Sequence, residues 1–127
     1  MLKPEIIVEL LDLAGRAQMR WIDSFSSWSA KDRADAYLYK LSQEFYEAVA
    51  NGADVEKSLS DADAAWRTRT AEQNKLTEAA GKLSSGPYAG QSARMHSYMY
   101  PEKFESTAIH LRNMVKIIVN RSKEQSK

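Results

Sequence analysis

With 127 residues, 43% hydrophobic and 28% charged, the chain reads as one folded soluble domain long enough to bury its own core. It has no cysteine, which excludes a disulfide framework, a thiolate nucleophile and a cysteine-ligated metal, and its apolar runs are too short and charge-interrupted to span a bilayer. The formal charge of +1 conceals a split: residues 1–81 carry 10 Lys and Arg against 14 Asp and Glu, net −4, while residues 82–127 carry 8 against 3, net +5. Such asymmetry points to a charged partner, most simply nucleic acid or an acidic protein surface.

The start, Met1-Leu2-Lys3-Pro4-Glu5, lacks the basic opening and unbroken apolar stretch of a signal peptide, so a cytoplasmic protein is expected. Pro4 suits a first helical turn. From there Ile7, Leu11, Ala14, Gln18, Trp21, Phe25 and Trp28 recur at three- and four-residue steps and predict a helix over 4–27. Gly15 weakens that helix by up to ~1 kcal/mol relative to alanine. Ser29 is placed to cap a second helix over 30–50, with Asp32 near the positive end of its dipole. Its buried stripe is Ala34, Leu38, Leu41, Phe45 and Ala48, and Asn51-Gly52 stops it.

Asp54 is placed to cap a third helix over 55–83, with stripe Val55, Leu59, Ala62, Trp66, Gln73, Leu76, Ala80 and Leu83. Its middle is poor in core residues: Arg69, Thr70 and Gln73 predict either a bundle edge or a face toward a partner. Residues 84–100 read as a loop (Ser84 to Gly90) and a short helix over Gln91–Tyr98. Pro101 opens a last helix over 101–120, striped by Phe104, Ala108, Leu111, Val115 and Ile118, and the polar tail beyond it is expected to fray. No segment alternates like a strand and no solenoid repeat is visible. The expectation is an all-α, four-helix bundle-like single domain.

No catalytic set assembles from these residues, so the chain reads as a non-enzyme without metal or cofactor. The two histidines, His96 and His110, lack metal-ligand spacing, and His110 reads as a helix-flank residue. Asp61 and Asp63 point to different helix faces, and Glu44 and Glu47 read as a solvated face. Gly86-Pro87-Tyr88-Ala89-Gly90 has no following Lys-Ser/Thr and follows a helix, so it fails as a phosphate loop. Trp21 and Trp66 read as packing, while Trp28 either caps the core or shows an edge to a partner. Arg16 and Arg20, with Asp12 and Asp23 within a turn, read as an ion-paired face.

The span from Tyr88 to Lys116 is different. Tyr88, Arg94, Met95, His96, Tyr98, Met99 and Tyr100 crowd a stretch with no acid before Glu102. These residue types are enriched in interfaces, and aromatic rings with arginines also suit single strands, although the same side chains serve equally to plug the end of a bundle. Arg112 and Lys116 stand four apart on the last helix, off its apolar stripe, with Lys123 in line and Arg121 beside it. Like charges at that spacing disfavour a helix, which points to a use for them.

The string Tyr88-Ala89-Gly90-Gln91-Ser92-Ala93, then Pro101, Phe104 and His110-Leu111, resembles the C-terminal helical region of large subunits of type I CRISPR Cascade complexes. That region is also made separately as the small subunit. The resemblance covers residues 88–111. It implies a non-catalytic helical-bundle subunit, present in several copies, that braces the guide RNA–target duplex and helps hold the displaced DNA strand. The chain departs from the pattern in a less apolar stretch after the proline, in one histidine where the family often has two, and in Glu102 and Glu105. Contact with the nucleic-acid backbone would fall to Arg94, Arg112, Lys116 and Arg121, helped by Lys82, Arg67 and Arg69, with the acidic first helices meeting other subunits. The competing expectation is a small inhibitor or immunity-type protein that binds one protein target through Tyr88, Met95, His96, Tyr98 and Tyr100.

Overall fold

The computed structural model describes residues 2–25, 30–84 and 86–125, without the side chains of 30–33, 96 and 124–125. Trp28 and the Ser29 cap lie outside the described residues, as do the side chains of Asp32 and His96. Five helices account for most of the described chain: α1 Pro4–Phe25, α2 Ala30–Ala50, α3 Val55–Ala80, α4 Ala93–Ser97 and α5 Phe104–Gln125. The class is all-α; among the described residues, extended pairing is limited to an isolated bridge between Lys82 and Ser92.

Local chemistry sets the boundaries. The Asp54 carboxylate accepts a hydrogen bond from the Lys57 backbone N–H at 2.9 Å and so caps α3. Gly52 (φ 95°) and Gly81 (φ 68°) turn the chain through left-handed backbone after α2 and α3, a conformation that costs a side chain dearly. The glycine at 81 therefore ends α3 at Ala80, three residues before the apolar pattern expires at Leu83. Pro101 opens a single tighter turn, Pro101–Lys103, before α5 begins. The tail expected to fray is helical through Gln125, and the 4%-exposed Ser122 donates its hydroxyl to Glu5 at 3.3 Å.

Helix α1 pairs with α2, and α5 packs against α1, α2 and α3. Side-chain pairs give the directions. Arg112 meets Glu56 and Arg67 meets Glu105, so α5 runs against α3; Arg121 meets Glu9 at the opposite end of α1, so α5 runs against α1 as well. Between them lies one core, including Leu10, Leu41, Phe45, Trp66, Phe104, Leu111 and Ile118, each at most 2% exposed. Burying a side chain of this size contributes roughly 1.5–3 kcal/mol.

The expected stripes hold for α2 and α5, where Leu38, Leu41 and Phe45, and Phe104, Leu111, Val115 and Ile118, are buried. On α1 the stripe is turned: Ile6, Leu10, Ala14 and Ala17 are buried, while Leu11 and Phe25 stand 48% and 62% exposed. That helix has apolar residues on two faces, and periodicity does not say which one meets the core. In the second half of α3 the inward positions are Thr70 and Thr77 rather than Leu76, which is exposed. Thr70 satisfies its hydroxyl on the Arg67 carbonyl at 3.0 Å, whereas the buried Thr77 hydroxyl has no partner.

Candidate partner-binding surface

The stretch between α3 and α5 is anchored by its backbone. Residues 81–93 close on themselves through hydrogen bonds from Ala93 N to Gly81 O (3.0 Å), Leu83 N to Gln91 O (2.9 Å) and Gly90 N to Leu83 O (2.8 Å). Beyond α4 the side chain of Asn74 grips Met99 like a strand partner, donating to its carbonyl and accepting from its N–H, both at 2.8 Å. The Trp66 indole N–H donates to the Tyr100 carbonyl at 3.1 Å. Satisfied backbone groups and the buried side chains of Ala93 and Met99 therefore hold the segment to α3.

Its other side chains project. Met95 is 77% exposed, Tyr100 56% and Tyr88 51%. Tyr98 is half-buried, its ring edge-on to Tyr100 at 5.1 Å, with the Arg94 guanidinium 4.7 Å above its centre. Met99 plugs the core, and Tyr88, Met95 and Tyr100 face solvent. An anchored backbone carrying exposed aromatic and thioether groups loses little freedom when a partner covers it.

The basic residues are arranged otherwise. Four of the seven nucleic-acid candidates are ion-paired: Arg67 with Asp63 (3.0 Å) and Glu105 (3.8 Å), Arg94 with Glu78 (2.9 Å), Arg112 with Glu56 (2.7 Å) and Arg121 with Glu9 (3.1 Å). Arg112 is bidentate, with a second bond of 2.9 Å. These bonds, with Lys116 adding its charge nearby, hold the Glu56 carboxyl below its ordinary pKa and raise that of Arg112. Arg69 lies over the Tyr37 ring at 5.2 Å. Lys82 and Lys116 are exposed, and neither forms an ion pair with another described residue.

Nor do these groups converge. Arg94 and Arg112 dock on α3 at positions 78 and 56, 22 residues apart, which is roughly 33 Å of helix. Arg94 therefore does not share a face with Arg112 and Lys116, because α5 runs back along α3 and puts them at opposite ends. The charge split has an internal destination. Arg94, Lys103, Arg112 and Arg121 of the basic part meet Glu78, Asp35, Glu56 and Glu9 of the acidic part.

A cavity of about 490 Å³ opens between α1, α2 and α5, with an apolar floor that includes Leu13, Leu38 and Leu111. Arg16, Arg20, Lys103 and His110 stand around it, the first paired with Asp12 and the third with Asp35. The Ser42 and Ser106 hydroxyls are bonded to backbone carbonyls, and burial pushes the Tyr46 hydroxyl up to about 12, leaving it a neutral group. Among the described residues, no three His, Asp or Glu side chains come together in a way that would hold a metal ion.

The anchors were invisible in the sequence. Asn74 sits mid-helix with no local signal, 25 residues from Met99, and Glu56 is 56 residues from Arg112. No family model matches the chain, and no curated protein or solved structure matches it significantly. Among the described residues, no helix is long and apolar enough to cross a membrane.

Proposed function

We propose that this chain is a non-catalytic interaction subunit that binds a protein neighbour through the 88–100 segment. One observation carries the reading: Tyr88, Met95 and Tyr100 are exposed on a segment closed by its own backbone hydrogen bonds over 81–93 and held at Met99 and Tyr100 by Asn74 and Trp66. Exposed tyrosine and methionine on a rigid platform are the groups that become contact hot spots. The test is co-purification of the native chain and of a Tyr88→Ala/Met95→Ala/Tyr100→Ala triple variant, followed by titration of the recovered neighbour. The variant should bind at least about tenfold more weakly, a loss of ~1.4 kcal/mol, with its melting temperature little changed. A variant that melts early with no separate binding defect would return the segment to the core.

A place in a nucleoprotein complex, as the resemblance to Cascade small subunits implies, is a second reading. Its support is narrower than the basic composition implied: Lys116 and Lys123 are exposed on one side of α5 and form no ion pair among the described residues. Two lysines give a log–log salt slope of about −1.5 for a single-stranded oligonucleotide, against roughly −5 to −6 for all seven candidates. Anisotropy titrations between 50 and about 200 mM salt distinguish these slopes. No binding at low salt removes the nucleic-acid reading and leaves the protein one standing.

A further inference from the structure

Helix α1 carries a second apolar face. Val8 (66% exposed), Leu11 (48%), Met19 (63%) and Ile22 (48%) look outward. At about 100° per residue, positions 8, 11, 15, 19 and 22 fall within an arc of roughly 80°, turned away from Ile6, Leu10, Ala14 and Ala17. Surface helices ordinarily present charge there, and α1 confines its charge to a neighbouring ridge that includes Asp12 and Arg16.

The spacing of the stripe is symmetric about Gly15. Val8 and Leu11 lie seven and four residues before it; Met19 and Ile22 lie four and seven after it. A two-fold axis across the helix at Gly15 therefore exchanges position 8 with 22 and 11 with 19. Gly15 itself has no role within the chain, for a Cβ there would meet nothing within 4 Å. An interior glycine weakens a helix, but it lets a second backbone approach closely at a crossing point.

We infer that α1 is a self-association surface, and that its occupant is the same helix of a second copy, antiparallel and crossing at Gly15. Val8 then meets Ile22 of the copy, Leu11 meets Met19, and the contact closes on itself as two-fold interfaces do. Along the flanking ridge the antiparallel arrangement lays the charged flank of one helix along the same flank of the other and sets Asp12 near Arg16 of the copy. Glu5 and Asp23 approach each other only at the rim, where salt screens them. From Val8 to Ile22 the stripe runs roughly 21 Å on a helix about 10 Å wide, a footprint on the order of 200 Å² per copy. Stable complexes cover about 800 Å² per partner, so this dimer forms reversibly and at high concentration.

Sedimentation of the full chain over roughly 10–500 μM, bracketing a weak micromolar equilibrium, tests it. The expected result is a rise from one-chain toward two-chain mass. Leu11→Glu and Met19→Lys should each weaken self-association at least about tenfold, ~1.4 kcal/mol, with unchanged circular dichroism, since both residues are outside the core. Mixing these two variants should restore a one-to-one dimer, because position 11 faces position 19 across the axis. The chain has no cysteine, so a lone Gly15→Cys should cross-link to itself under mild oxidation while Lys123→Cys does not. A one-chain mass throughout, or association that ignores both variants and their mixture, overturns the proposal. So does a wild-type chain that stays monomeric and binds anionic vesicles or an unrelated protein through this face.

Discussion

The 88–100 segment and the outer side of α5 both carry residues suited to recognition, and they spend them in opposite ways. In the segment, the backbone is held by Asn74, Trp66 and its own loop closure, and Tyr88, Met95 and Tyr100 are left outside. On α5 the backbone is satisfied by the helix, and Arg112 and Arg121 are drawn onto acids of α3 and α1. A charged group can meet its complement within the chain as readily as outside it. In the segment Tyr88 and Tyr100 stay exposed, Tyr100 even though its ring touches that of Tyr98.

The inner side of α5 seats that helix in the core shared with α3, and the largest effect is expected there. Leu111→Ala, at a site 1% exposed, should cost ~2–5 kcal/mol in urea unfolding. A loss under about half a kcal/mol would mean that α5 is loosely seated, and the comparison would have no fixed platform.

Next comes the segment. Asn74→Ala leaves the Met99 N–H and carbonyl without their partners, and each buried unsatisfied group costs ~1–3 kcal/mol. Stability should fall by about 2 kcal/mol, and partner binding should fall with it although Asn74 is not proposed to touch the partner. Unchanged binding would show that the exposed side chains act without preorganisation.

The smallest effect separates the two lysine and arginine types on α5. Arg112→Glu confronts Glu56 and should lower the melting temperature, whereas Lys116→Glu should leave it nearly unchanged and reduce any affinity for single strands. Acid sharpens the point. The folded Glu56 carboxyl lies below its ordinary value of 4.5, so its stabilisation is present above that pH and is lost as pH falls through the lowered folded value. The melting difference between wild type and Glu56→Gln should therefore be seen at neutral pH and vanish in acid, once the pH has fallen through that lowered value. A difference that persists in acid would place the effect in packing instead of the ion pair.

Helix existence and class were legible because local patterns carry them: three- and four-residue spacing, Asp54 as a cap, and Asn51-Gly52 after α2, whereas the stop at Gly81 was not read. The buried stripes of α2 and α5 were equally legible, since each helix has only one apolar face to bury. Three things needed the tertiary structure. Which face of α1 turns inward depends on where α2 and α5 lie, and an alanine-rich face admits them as well as a leucine-rich one. Which of the crowded residues at 95–100 face solvent depends on Asn74, a contact across 25 residues. The meaning of the charge split was decided last, when α5 laid its arginines on acids up to 112 residues away. Composition records how many charges a chain has, and only the packed chain determines which of them are already neutralised.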